Sequence, residues 1–149
     1  FGRAFGMHVL VSRANDDGYE HASREELFTR ADVLSLHLKL TPETRGSVTA
    51  HDLARMKPAS LLVNTARAEL IAPGALEAAL RAGRPGSAAV DVYASEPALT
   101  DPLVMMDNVL ATPHLGYVER DSYELYFGQA FDAVNAFGSR TESREEPDV

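Results

Sequence analysis

The chain contains no cysteine, which excludes disulfides and thiolate sites and suits a reducing compartment, so the cytoplasm is the expected location. No stretch approaches the roughly 20 apolar residues of a membrane helix, and the first residues carry no signal-peptide pattern. Cations are outnumbered, 14 Lys+Arg against 22 Asp+Glu, for a formal net charge of −8. A general nucleic-acid surface needs clustered Lys and Arg, and that class is excluded. His8, His21 and His51 lack close metal-ligand spacing, so no metal is expected. What remains is 149 residues with 45% hydrophobic content, enough for about one domain with a real core.

Helical and strand signals alternate along that length. Phe1–Gly6 reads as the last turn of a helix closed by glycine. His8–Ser12 reads as a short strand, followed by a turn rich in Asn15, Asp16, Asp17 and Gly18. Ser23 with Glu26 forms a capping box for a helix to about Arg30. Asp32–Leu38 is a strand, and Thr49 with Asp52 opens a short helix carrying Leu53 and Met56. Strand Leu61–Val63, a helix marked by Leu76, Ala79 and Leu80 and ended by Gly83, strand Ala88–Val92 and strand Val109–Ala111 follow. A longer helix spans Glu119–Phe137, and the charged segment 139–149 lacks periodicity. Short apolar strands separated by helices imply right-handed crossovers and a parallel α/β sheet.

Three polar patches each follow one of those apolar runs: Asn64-Thr65-Ala66-Arg67, Ser95-Glu96-Pro97 and Thr112-Pro113-His114-Leu115-Gly116-Tyr117. Residues just beyond the carboxyl ends of parallel strands line the ligand crevice. A guanidinium, a carboxylate and an imidazole are therefore expected to converge on one edge. Arg67 has the planar fork that grips a carboxylate. His114 carries the side chain that titrates nearest neutral pH, and Glu96 bonded to it would favour the imidazolium and fix its orientation. Each also has an ordinary structural reading: Arg67 as a solvated charge, Glu96 as a turn residue, His114 as a partner for a loop carbonyl.

The series Gly-Arg-Ala-Phe-Gly-Met (2–7), Leu-His-Leu-Lys-Leu-Thr-Pro-Glu-Thr-Arg-Gly (36–46), Met-Lys-Pro (56–58), Asn-Thr-Ala-Arg (64–67), Asp-Val-Tyr (91–93), Glu-Pro (96–97) and Pro-His-Leu-Gly-Tyr (113–117) resembles the NAD(P)-binding domain of the D-isomer-specific 2-hydroxyacid dehydrogenases. That family includes phosphoglycerate, glycerate and D-lactate dehydrogenases. The resemblance covers Phe1 to about Phe137. It implies a doubly wound, Rossmann-like parallel sheet and hydride exchange between a nicotinamide, NAD or NADP, and a 2-hydroxyacid or 2-oxoacid. By the same resemblance Arg67 is the substrate arginine and Glu96 with His114 the acid/base pair. Cofactor contacts are implied at Ser12, Arg13, His37, Leu38, Thr65, Ala66, Asp91 and Gly116, with Asp91 toward the nicotinamide. A homodimer formed through the cofactor domain is implied as well.

Departures from the family pattern are equally specific. The sequence holds no Gly-x-Gly-x-x-Gly phosphate loop. The resemblance puts that loop and the strand before it upstream of Phe1, so residues 1–138 are expected to be a partial NAD(P)-binding domain lacking its first strand. Residues 139–149 are then a disordered tail or a cut connection to a substrate domain. The remaining strands would flank a gap. Ala68 stands where the family usually has glycine, which predicts a strained turn, and Lys39 stands where proline is common. Cofactor choice stays open: Ser12-Arg13 suits a 2′-phosphate, whereas Asp16 or Asp17 suits ribose hydroxyls. Two other readings remain, a non-catalytic nucleotide-binding or scaffold protein of this fold and a formate dehydrogenase. The latter resembles this family but carries glutamine where Glu96 stands.

Overall fold

Two reciprocal capping boxes start the first helices. A computed structural model describes residues 1–12 and 18–142, the side chains of 140–142 excepted. Ser23 accepts from the Glu26 amide and donates its own amide to the Glu26 carboxylate, opening α1 (Arg24–Arg30). Thr49 and Asp52 repeat the arrangement at α2 (Ala50–Ala54). Asp52 then does more than cap. Arg24 donates Nε to its Oδ1 at 3.0 Å and Nη2 to its Oδ2 at 2.6 Å, tying α1 to α2. The Arg24 bonds, ahead of those from Thr49, hold the Asp52 carboxyl well below its ordinary value of 3.8 despite burial.

The strands are β1 (Leu10–Val11), β2 (Glu20–His21), β3 (Val33–Leu36), β4 (Leu61–Asn64), β5 (Ser87–Val90) and β6 (Val109–Ala111). Among the described residues all pairings are parallel, and they form two sheets: β1 with β2, and the four strands β3-β4-β5-β6 in chain order. This is the Rossmann-like arrangement expected, and the break between the sheets falls where the sequence implied a gap. The sequence reading missed β2, whose two residues are both exposed and carry no apolar pattern.

Within the larger sheet, side chains alternate in burial. Leu34, Leu36, Leu62, Ala88 and Val90 face a core shared with Phe28 of α1, Leu53 of α2, and Leu76, Ala79 and Leu80 of α3 (Ala75–Arg81). The opposite row is more open: Val33 is 50% and Leu110 68% exposed. The apolar runs are thus buried on one face rather than on both. Gly83, with φ of 77°, closes α3 in a left-handed conformation that favours glycine. Gly86 admits no side chain, because a Cβ there would lie 2.0 Å from the Pro58 carbonyl oxygen.

The chain divides into two compact units, residues 1–114 and 115–149. The second unit holds α4 (Arg120–Glu142), which continues past the expected end at Phe137. Residues 143–149 lie outside the described residues. So do Arg13, Asp16 and Asp17, whereas Ser12, the other residue expected on the adenine side, is described. Among the described residues, no helix is long and apolar enough to cross a membrane.

Candidate active site

Parallel register fixes where the site residues emerge. Leu36, Asn64, Val90 and Ala111 form one row across β3, β4, β5 and β6, and it is the last row of all four strands. His37 and Leu38 follow it from β3, Thr65 to Arg67 from β4, Asp91 and Glu96 from β5, and His114 from β6. Neighbouring strands lie about 4.8 Å apart, so Arg67 and His114 leave strands separated by about 10 Å, with β5 between them.

The turn that carries Arg67 is held by a residue the sequence reading left without a role. Asn64 is almost fully buried. Its Oδ1 accepts from the Ala66 amide at 3.1 Å, and its Nδ2 donates to the Arg67 carbonyl at 2.9 Å. Asparagine at the end of an apolar run is a signal for such a side-chain-closed turn. Arg67 itself is exposed, with Nη1 donating to the Ala66 carbonyl at 2.6 Å. The strain expected at Ala68 is absent: its backbone is not left-handed, and it opens a 3₁₀ turn over Ala68–Leu70. That turn needs only helical angles, which alanine adopts freely.

Glu96 and His114 meet directly. Nδ1 of His114 lies 2.9 Å from both Glu96 carboxylate oxygens. The Tyr93 amide also donates to Glu96 Oε1 at 3.3 Å. The His114 bond first, and the Tyr93 amide second among the favourable contacts, hold the Glu96 carboxyl below its ordinary value of 4.5. Asp91 opposes this. His114 adopts a left-handed backbone with φ of 56°, the single non-glycine residue to do so among those described. Such a conformation is disfavoured for a side chain with a Cβ and persists only where neighbours enforce it.

Asp91 is buried, and its Oδ1 accepts from the Thr112 hydroxyl at 2.5 Å. His37 is exposed, with Nε2 2.9 Å from the Ser35 hydroxyl, and Leu38 packs against the core. Thr65 and Ser12 are exposed, Ser12 at the end of β1. Gly116 belongs to the second unit. Among the described residues no group of acidic, histidine or cysteine side chains could hold a metal.

The edge therefore offers hydroxyl, imidazole, carboxylate and backbone groups. That mixed donor set suits the amide and ribose hydroxyls at the nicotinamide end of a dinucleotide. For the pyrophosphate, the sequence supplies no glycine-rich loop.

Comparison with known proteins bears on the family and the fold. The family described as D-isomer specific 2-hydroxyacid dehydrogenase, NAD binding domain, matches residues 1–116. The D-3-phosphoglycerate dehydrogenase of Mycobacterium leprae is 42% identical over 120 residues, covering 76% of this chain and 23% of that protein. A phosphoglycerate oxidoreductase from Vibrio cholerae superposes with a TM-score of 0.84 at 51% identity, over 94% of this chain and 48% of that one. A D-isomer specific 2-hydroxyacid dehydrogenase from Xanthobacter autotrophicus, solved with NADPH and MES, gives a TM-score of 0.65 at 36% identity, over 74% of this chain and 38% of that one. The chain thus spans about a quarter to a half of the length of these relatives.

Proposed function

Because the chain belongs to the D-isomer specific 2-hydroxyacid dehydrogenase family, through its NAD-binding domain, we propose that it works as an NAD(P)-dependent oxidoreductase interconverting a 2-hydroxyacid and its 2-oxoacid. The observation that carries this reading is the Glu96–His114 contact, on the edge from which Arg67 also rises.

Arg67 holds the substrate carboxylate, using paired N–H donors that a lysine lacks. Asn64 keeps that guanidinium's backbone in place. Glu96 engages Nδ1 of His114 and fixes the ring, so Nε2 is the nitrogen placed to exchange a proton with the substrate oxygen. In reduction His114 gives its proton to the carbonyl oxygen, and in oxidation it takes the proton from the hydroxyl. When bound, the nicotinamide supplies or accepts the hydride. Thr65, Ala66, His37 and Asp91 line the strand ends on its side, with Ser12 at the end of β1. The reading extends to a homodimer and to a cytoplasmic location, the latter supported by the lack of cysteine.

The test is NADH and NADPH oxidation by the intact gene product with glyoxylate, hydroxypyruvate and, for formate oxidation, NAD and NADP. Turnover of a 2-oxoacid is expected, with none of formate. Dinucleotide binding without turnover of any 2-oxoacid would favour a non-catalytic nucleotide-binding protein instead.

A further inference from the structure

Tyr93 is buried three residues beyond the end of β5, and the chemistry above gives its side chain no part. A phenol is costly to bury unless its hydroxyl is bonded, and phenylalanine would fill the same space without that cost. The Tyr93 hydroxyl donates to the Thr112 carbonyl at 2.9 Å. That carbonyl also accepts the His114 amide at 3.0 Å. Through its own amide, Tyr93 reaches Glu96 Oε1 at 3.3 Å. A single residue therefore touches the Glu96 carboxylate on one side and, on the other, the carbonyl around which the His114 turn closes.

That turn needs holding. His114 sits at φ of 56°, a conformation its own preferences oppose. Burial, followed by the nearby carboxylates of Asp101, Asp91 and Glu96, pushes the Tyr93 phenol above its ordinary value of 10.0, so it remains a donor at any working pH. From this arrangement we infer that the Tyr93 hydroxyl is a positioning group: it pins the Thr112 carbonyl so that the His114 ring meets Glu96 through Nδ1. The inference rests on reading Glu96 and His114 as the acid/base pair, and it adds a residue that acts through them without touching substrate.

Tyr93→Phe deletes one oxygen and keeps the packing, so the fold is expected to survive. In the intact gene product, with rates normalised to NADH-binding stoichiometry, kcat for a 2-oxoacid falls about three- to tenfold, the effect of one neutral hydrogen bond. The NADH Kd stays within about twofold. In a His114→Ala background the same substitution changes the residual rate by less than about twofold, because the residue it positions is gone. In the unliganded protein the His114 Nδ1–H proton, followed by NMR, exchanges about tenfold faster in Tyr93→Phe than in the parent.

Equal rate losses in both backgrounds would overturn the inference, since the hydroxyl would then serve general stability. So would an unchanged parent rate together with unchanged proton exchange. If His114→Ala keeps the parent rate, the acid/base reading has failed on its own account. The exchange measurement then still decides whether Tyr93 positions His114.

Discussion

Glu96 and His114, eighteen residues apart in sequence, share a hydrogen bond in which Nδ1 lies 2.9 Å from each carboxylate oxygen. The contact joins the segment after β5 to the segment after β6, adjacent parallel strands. Neither residue is deeply buried, their side chains being 40% and 33% exposed. The pair therefore contributes little to stability, and its value lies in orientation.

That contact sets a titration. His114 holds the Glu96 carboxyl below 4.5, so the ionised form, and with it the paired arrangement, is present above that value and lost as pH falls through the lowered one. A carbon-13 NMR titration of the Glu96 carboxyl is expected to give a midpoint below 4.5, moving back toward 4.5 in His114→Ala. A parent midpoint at or above 4.5 would contradict the pairing.

Arg67 tests the carboxylate receptor separately from the proton chemistry. Arg67→Lys keeps the charge and loses the fork, and is expected to raise KM for the 2-oxoacid about 10- to 100-fold. The Kd of NADH, read by fluorescence, should stay within about twofold. A matched loss in both quantities would mean that Arg67 supports the fold or the cofactor rather than the acid.

Asp52 tests the scaffold. It caps α2 and receives Arg24 from α1, so Asp52→Ala removes a cap and the ionic partner of Arg24, whose half-exposed guanidinium keeps its bond to the Ser47 carbonyl. A loss of about 1–2 kcal/mol in urea unfolding at pH 7 is expected. Because the folded-state carboxyl is depressed below 3.8, this contribution is complete above that pH and declines as pH falls through the lowered value. The difference between parent and variant should accordingly shrink in acid. A loss under about 0.5 kcal/mol at pH 7 would show that the bridge is incidental.

Much of this was legible in the sequence because local chemistry dictates it. Both capping boxes, at Ser23–Glu26 and Thr49–Asp52, were readable from side-chain type and spacing. Two strand ends were readable as apolar runs stopping at Asn64 and Thr112, whereas the run read to Val92 ends two residues earlier, β5 stopping at Val90. The roles of Asn64, Thr112 and Tyr93 were not readable. Asn64 depends on how tightly its own turn closes, and Tyr93 to Thr112 is a contact across strands. The one-sided burial of β3 to β6 was hidden too, since Val33 and Leu110 are as apolar as the residues that face the core. At Ala68 a family habit of glycine suggested strain, whereas the chain takes a 3₁₀ path that alanine accepts.

The central claim is that His114 moves the proton. It is tested most directly by His114→Ala in the intact gene product, with kcat for a 2-oxoacid and the Kd of NADH measured side by side. The account predicts a fall in kcat of about 10²- to 10⁴-fold with cofactor affinity nearly unchanged. Equal losses in the two quantities, or an unchanged kcat, would contradict it.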